Sequence, residues 1–114
     1  MEKTFTEIKL FKVKPDKIEQ FESFAKKMEK EQNKKNGCIT IKYMKRFYTI
    51  DGIELGNTPR ELTRIVKCVK YYSVWEFDNK INYGNAIAWF FDSYAKDLSK
   101  ILIEPFDINI GNSL

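Results

Sequence analysis

The residues best suited to chemistry in this sequence are aromatic: Tyr43, Tyr71, Trp75, Trp89, Phe91 and Tyr94, with Phe90 beside them. Tyr43, Tyr71 and Trp75 fall on stretches with the two-residue alternation of strands, and the rest on a stretch with helical spacing. A helix packed over a sheet would bring them together around an apolar pocket. Rings with a few hydroxyl and indole donors among them suit a small, flat, hydrophobic ligand. Each also has a structural reading, because aromatics at helical spacing commonly fill cores. Tyr71 and Tyr72 are adjacent and must point to opposite faces of a strand, so only one of them lines a given cavity.

Other chemistries are excluded or unsupported. The chain has no histidine, which removes Ser-His-Asp and Cys-His nucleophile systems and the usual neutral-pH proton shuttle. Acid-base work falls to Asp, Glu, Lys, Tyr or Cys with shifted pKa values. No paired carboxylates stand out, so no catalytic residue is assigned. Gly37, Gly52, Gly56, Gly84 and Gly111 have turn or helix-end explanations rather than forming a phosphate loop. Cys38 and Cys68 lie in apolar strand patterns with neither CxxC spacing nor accompanying histidines, so they read as packed, reduced thiols without a metal.

The chain has 114 residues, with 20 Lys and Arg against 16 Asp and Glu and a net charge of +4. That length predicts one domain, residues 1–114. The cations are spread among glutamates, which predicts a solvated surface rather than a nucleic-acid partner. With no signal peptide and no apolar run long enough to cross a bilayer, the expected setting is the cytoplasm, away from membranes.

The elements that must position the aromatics follow in order. Thr4 to Lys14 reads as a strand with Phe5, Ile8, Leu10, Phe11 and Val13 as its apolar contacts, closed by Pro15. Asp16 as N-cap and Glu19 open a helix whose inner face is Ile18, Phe21, Ala25 and Met28, with Phe24 beside them, and Gly37 stops it. A second strand, Cys38 to Ile50, alternates Ile39, Ile41 and Tyr43 on one face; Asp51-Gly52 then turns the chain into a hairpin tip over 51–61.

The third strand, Leu62 to Phe77, is apolar on both faces: Ile65, Val69, Tyr71, Trp75 and Phe77 on one, Val66, Cys68, Tyr72 and Val74 on the other. Asp78 caps a second helix from about Lys80 to Leu102, expected in two pieces around Gly84, with Ile87, Phe91, Tyr94, Leu98 and Ile101 facing inward. After Pro105, alternating Phe106, Ile108 and Ile110 make a short final strand. The order βαββαβ is ferredoxin-like, an α+β fold in which two helices cover one face of a four-stranded antiparallel sheet. A second copy of the chain is the simplest cover for the other face, which predicts a homodimer closing an α+β barrel.

The stretches FKVKPDKIEQFESF, NGCITIKYMKR, YYSVWEFDNKINY and ILIEPFDINIG together resemble the antibiotic biosynthesis monooxygenase-like family of dimeric α+β barrels. The resemblance implies the dimeric fold and places Trp75 at the family's tryptophan at the end of the third strand. It implies either a cofactor-independent oxygenase or a barrel without catalysis. In the first case the site binds an electron-rich phenol or quinol and favours its anion, with Arg64 or Lys67 helping, and the anion itself reduces oxygen. In the second it holds a small hydrophobic molecule or a protein partner. The haem-degrading branch does not fit, because its axial histidine and first-strand asparagine have no counterpart here. An RNA platform on the sheet, a third reading, lacks the Gly-aromatic pattern of such modules.

Overall fold

Strand β1, Phe5–Val13, lies inside the main sheet with a paired strand on each side. The computed structural model describes residues 3–64 and 67–114. After β1 come a single 3-10 turn at Pro15–Lys17, helix α1 at Ile18–Asn33, β2 at Cys38–Lys45, β3 at Tyr48–Thr49 and β4 at Arg60–Glu61; β5 at Val69–Phe77, helix α2 at Lys80–Ile101 and β6 at Asp107–Asn112 complete the chain. The main sheet has four antiparallel strands in the order β2-β5-β1-β6, and β3 pairs with β4 in a separate two-stranded ladder. This is the ferredoxin-like α+β arrangement expected from the element order.

Both helices pack on one sheet face. Phe21, Ala25 and Met28 of α1 are buried, as are Tyr83, Ala86, Phe90, Tyr94, Leu98 and Ile101 of α2. Burial of side chains such as Phe11, Phe21 and Phe77 stabilises the fold by about 2 kcal/mol each. Beyond Ile101 the chain stays tied to β1: the Lys14 N–H donates to the Ile101 carbonyl at 3.0 Å, and the Ile103 N–H to the Lys12 carbonyl at 2.9 Å. The opposite face has an apolar centre in which Ile8 lies opposite Val74 and Leu10 opposite Tyr72. Met44 joins it as the neighbour of Tyr72. No described helix is long and apolar enough to cross a membrane.

Several local expectations are corrected. The third strand begins at Val69, not Leu62, because its partner β1 ends at Val13, opposite Val69, and a strand persists only where a neighbour pairs with it. Ile65 and Val66, expected on its two faces, lie outside the described residues. The second strand ends at Lys45, and the chain resumes pairing only as β3. A bulge between Cys38 and Thr40 takes Ile39 out of alternation and leaves it half exposed, while Ile41 is buried.

Asp16 sits inside the 3-10 turn, and no side chain caps α1. Asn79, rather than Asp78, caps α2 by accepting from the Asn82 N–H. The helix runs unbroken through Gly84, since one exposed glycine costs only about 1 kcal/mol against the buried row beside it. Its inward row uses Phe90 where Phe91 was expected; Phe91 is 46% exposed and packs on Phe106.

Candidate functional site

Strict alternation along β1 puts Phe5, Glu7, Lys9, Phe11 and Val13 on the face that meets the helices. Ile8, expected in the core, points the other way and is 43% exposed. Glu7 and Lys9 are fully buried. The Lys9 ammonium Nζ donates to Glu7 Oε1 at 2.5 Å, and the Tyr83 hydroxyl, from the first turns of α2, donates to Glu7 Oε2 at 2.5 Å. Trp75 stands opposite Glu7 in the ladder. Lys9 Nζ lies 4.9 Å from the centre of the Trp75 ring and 4.0 Å from that of Phe90, a cation held between two aromatic surfaces.

Burial sets the electrostatics. Removal from water pushes the Lys9 ammonium down to about 8, against an upward pull from Glu7 that is smaller. Burial thus moves the neutral form of Lys9 toward neutral pH. The Tyr83 hydroxyl moves the other way: burial first, then its hydrogen bond to Glu7, raises its pKa far above the ordinary phenol value. The Tyr83, Glu7 and Lys9 side chains form a continuous chain of hydrogen bonds inside the hydrophobic layer.

Unsatisfied donors gather on the same layer. Ser73, the ladder partner of both Lys9 and Tyr43, is buried, and its Oγ makes no hydrogen bond among the described residues. The Tyr43 hydroxyl donates to Gln32 Oε1 at 2.6 Å, leaving the buried Gln32 Nε2 without a partner. The Trp75 indole N–H lacks an acceptor at hydrogen-bond geometry and lies near the Cys38 thiol, whose pKa burial raises. A buried polar atom with no partner costs about 1–3 kcal/mol, so three of them in one layer call for an explanation.

The aromatics picked out in the sequence occupy different places. Trp75 packs against the buried pair, and Tyr43 joins the same sheet face through Gln32. Tyr71 turns to α1, donating to Glu22, which Lys45 also meets at 2.9 Å; those two contacts lower the Glu22 pKa. Tyr94 donates to Glu31 of α1 and stacks edge-on against Trp89, whose ring lies 3.7 Å from Lys35 Nζ. Phe91 faces Phe106 at the sheet margin. Arg64 and Lys67 line a separate cleft of about 560 Å3 that excludes Trp75 and Lys9. Among the described residues, no cluster of three or more Cys, Asp or Glu is placed to hold a metal.

Glu7, Lys9, Tyr83 and Ser73 were not singled out in the sequence. The signal was there, in Phe5, Phe11 and Val13, whose shared phase commits positions 7 and 9 to the same face.

Solved structures share this fold. An inferred antibiotic biosynthesis monooxygenase from Nitrosomonas europaea superposes with a TM-score of 0.72 at 11% identity, over 100% of this chain and 94% of that one. The fold is that of the antibiotic biosynthesis monooxygenase-like proteins. A variant of SnoaB, a cofactor-independent oxygenase from Streptomyces nogalater, gives 0.68 at 14% identity, covering 98% of this chain and 94% of that one. A dimeric ferredoxin-like protein from an uncultured marine organism gives 0.65 at 14% identity, with coverage of 99% and 97%. No protein-family model and no curated protein sequence matches the chain. The resemblance read from the sequence is thus borne out at the level of the monooxygenase-like fold.

Proposed function

We propose that this protein is a cofactor-independent oxygenase that binds a small electron-rich phenol or hydroquinone between the helices and the sheet, working as a cytoplasmic homodimer. The buried Glu7, Lys9 and Tyr83 constellation under Trp75 and Phe90 carries the proposal. A buried ion pair is a poor device for stability, because apolar side chains of similar volume usually serve as well or better. Its place between two aromatic rings suits recognition of an aromatic anion.

In this reading the ring lies along Trp75 and the hydroxyl meets Lys9. Neutral Lys9 takes the phenolic proton, and the resulting ammonium holds the phenolate. The phenolate transfers one electron to O2; superoxide and the substrate radical then join at a ring carbon as a peroxide. Loss of water leaves a carbonyl, so one oxygen atom enters the product, the other leaves in water, and the substrate supplies every electron. Ser73 Oγ and Gln32 Nε2 are donors suited to the developing oxyanion. Tyr43 borders that site through Gln32, while Tyr71, Trp89, Phe91 and Tyr94 lie farther out, and SnoaB, described as a cofactor-independent oxygenase, supports the chemistry by its shared fold.

Lys9, Trp75 and Phe90 are not exposed, so a ligand enters only when this layer opens; the second reading is a barrel that holds a hydrophobic ligand without turnover. Oxygen uptake with a panel of hydroquinones separates the two. The oxygenase predicts consumption that Lys9→Met abolishes and the exposed control Lys30→Met retains. Ligand binding without consumption selects the second reading, and neither binding nor consumption overturns both.

The dimer is supported by the apolar centre of Ile8, Leu10, Met44, Tyr72 and Val74 on the face away from the helices and by the shared fold of a protein described as dimeric.

A further inference from the structure

The 560 Å3 cleft opens where β1 and β2 end and β5 begins. Its floor is apolar: Ile18 from α1, Val69 from β5 and Ile103 from the segment after α2, with Phe47 and Leu62 at the base of the hairpin forming one wall. Its polar lining is almost entirely cationic. Lys12, Lys45, Arg46, Arg64, Lys67 and Lys70 face a single carboxylate, Glu104.

That imbalance is local. The whole chain carries a net charge of only +4, whereas this cleft sets six lysines and arginines against Glu104 alone. The cations come from separate stretches that are spread along the sequence, and only folding gathers them. Lys12 is paired with Glu104 at 2.5 Å and Lys45 with Glu22 at 2.9 Å. Arg46, Arg64, Lys67 and Lys70 make no ion pair among the described residues. Like charges held around a concave apolar surface repel one another and focus a positive potential into it.

We infer that this cleft binds an amphipathic anion: an apolar body resting on Phe47, Leu62 and Val69, with a carboxylate or phosphate head held by the Arg46 and Arg64 guanidiniums. The guanidinium fork matches both head groups. The volume falls within the range for small-molecule sites, and a half-open cleft of this size suits a compact ligand better than the long track a polynucleotide needs. This site is separate from the buried Lys9 layer and stands whether or not that layer is catalytic.

The test is a titration of isotope-labelled protein with decanoate, decanol and inorganic phosphate, followed by amide NMR shifts and calorimetry. Decanoate is expected to shift the Arg46, Phe47, Leu62 and Val69 amides and to bind at least about tenfold more tightly than decanol or phosphate. Raising salt should weaken decanoate and phosphate and leave decanol unchanged. Arg46→Gln combined with Arg64→Gln, both at exposed positions, should cut decanoate affinity by about tenfold and leave decanol unchanged, whereas Leu62→Asn should weaken both. Failure of decanoate to bind at millimolar concentration overturns the proposal. So do equal affinities for decanoate and decanol, shifts centred on Ile8 and Val74, or tighter binding of a single-stranded oligonucleotide.

Discussion

Glu7 and Lys9, two positions apart on one strand, clasp each other at 2.5 Å with neither side chain reaching solvent. The contact is made within a layer otherwise built of Trp75, Phe77, Phe90 and Phe11. Removing one member leaves its partner charged in a medium that cannot solvate it. Removing both leaves a hydrophobic layer in which only the Tyr83 hydroxyl has lost its acceptor. Glu7→Leu alone should destabilise the fold by about 3–5 kcal/mol, and Glu7→Leu with Lys9→Met should recover part of that, to within about 1–3 kcal/mol of the parent. Urea unfolding of the four proteins in this cycle measures it. A double variant as unstable as the sum of the singles would show that the pair itself holds the fold together.

The same burial gives stability an unusual pH dependence. Lys9 titrates at about 8 in the folded chain, against 10.5 for a free lysine. Between those values the unfolded chain holds a proton that the folded chain has released, so stability rises with pH. Above pH 10, the ordinary tyrosine value, the sign reverses: unfolded tyrosines ionise, whereas burial keeps Tyr43 and Tyr83 protonated in the fold. Thermal unfolding should therefore show Tm climbing above about pH 8 and turning over near pH 10. Lys9→Met should flatten the rising limb and leave the fall.

Two glycines should respond in opposite directions. Gly37 has φ +82°, and a Cβ there would stand 2.3 Å from Asp78 Oδ1 and 2.5 Å from Asn82 Nδ2. Gly37→Ala should cost about 1–3 kcal/mol. Gly84 lies in an exposed turn of α2 with open space around it, so Gly84→Ala should add roughly 0.5–1 kcal/mol. Chemical denaturation of the two variants tests both signs.

How far the sequence could be read depended on the kind of signal. The two-sided apolar character of the third strand correctly placed it inside the sheet, because that pattern has a single physical solution. The inner row of α2 was harder to phase. Trp89, Phe90 and Phe91 are consecutive, and three adjacent large rings blur the helical stripe; only packing against Trp75 and Tyr94 selects Phe90. In β1, Ile8 and Leu10 were expected in the core, and Glu7 and Lys9 were not singled out. Hydrophobicity and alternation disagreed there, and the backbone obeyed alternation. The cationic cleft was invisible for a different reason, since no local pattern reports which distant lysines and arginines will meet.

The face away from the helices gives a further expectation. Val74→Lys or Ile8→Lys places a charge at the centre of the proposed subunit contact, at positions already partly exposed in the single chain. Either change should convert a dimer to monomers in sedimentation experiments at micromolar concentration while leaving the circular dichroism spectrum of the fold intact. A parent protein that sediments as a monomer would remove the dimer from the functional reading.

Strand β1 lies between β5 and β6, both of which follow it far along the chain, and the Thr4 carbonyl accepts from the Ser113 N–H at 2.9 Å. A growing chain therefore holds Glu7 and Lys9 in water until the distant Trp75 and Phe90 pack over them. Desolvation of that pair is then a late event, coupled to closure of the whole sheet, and nascent chains halted before Asp107 should remain protease-sensitive throughout.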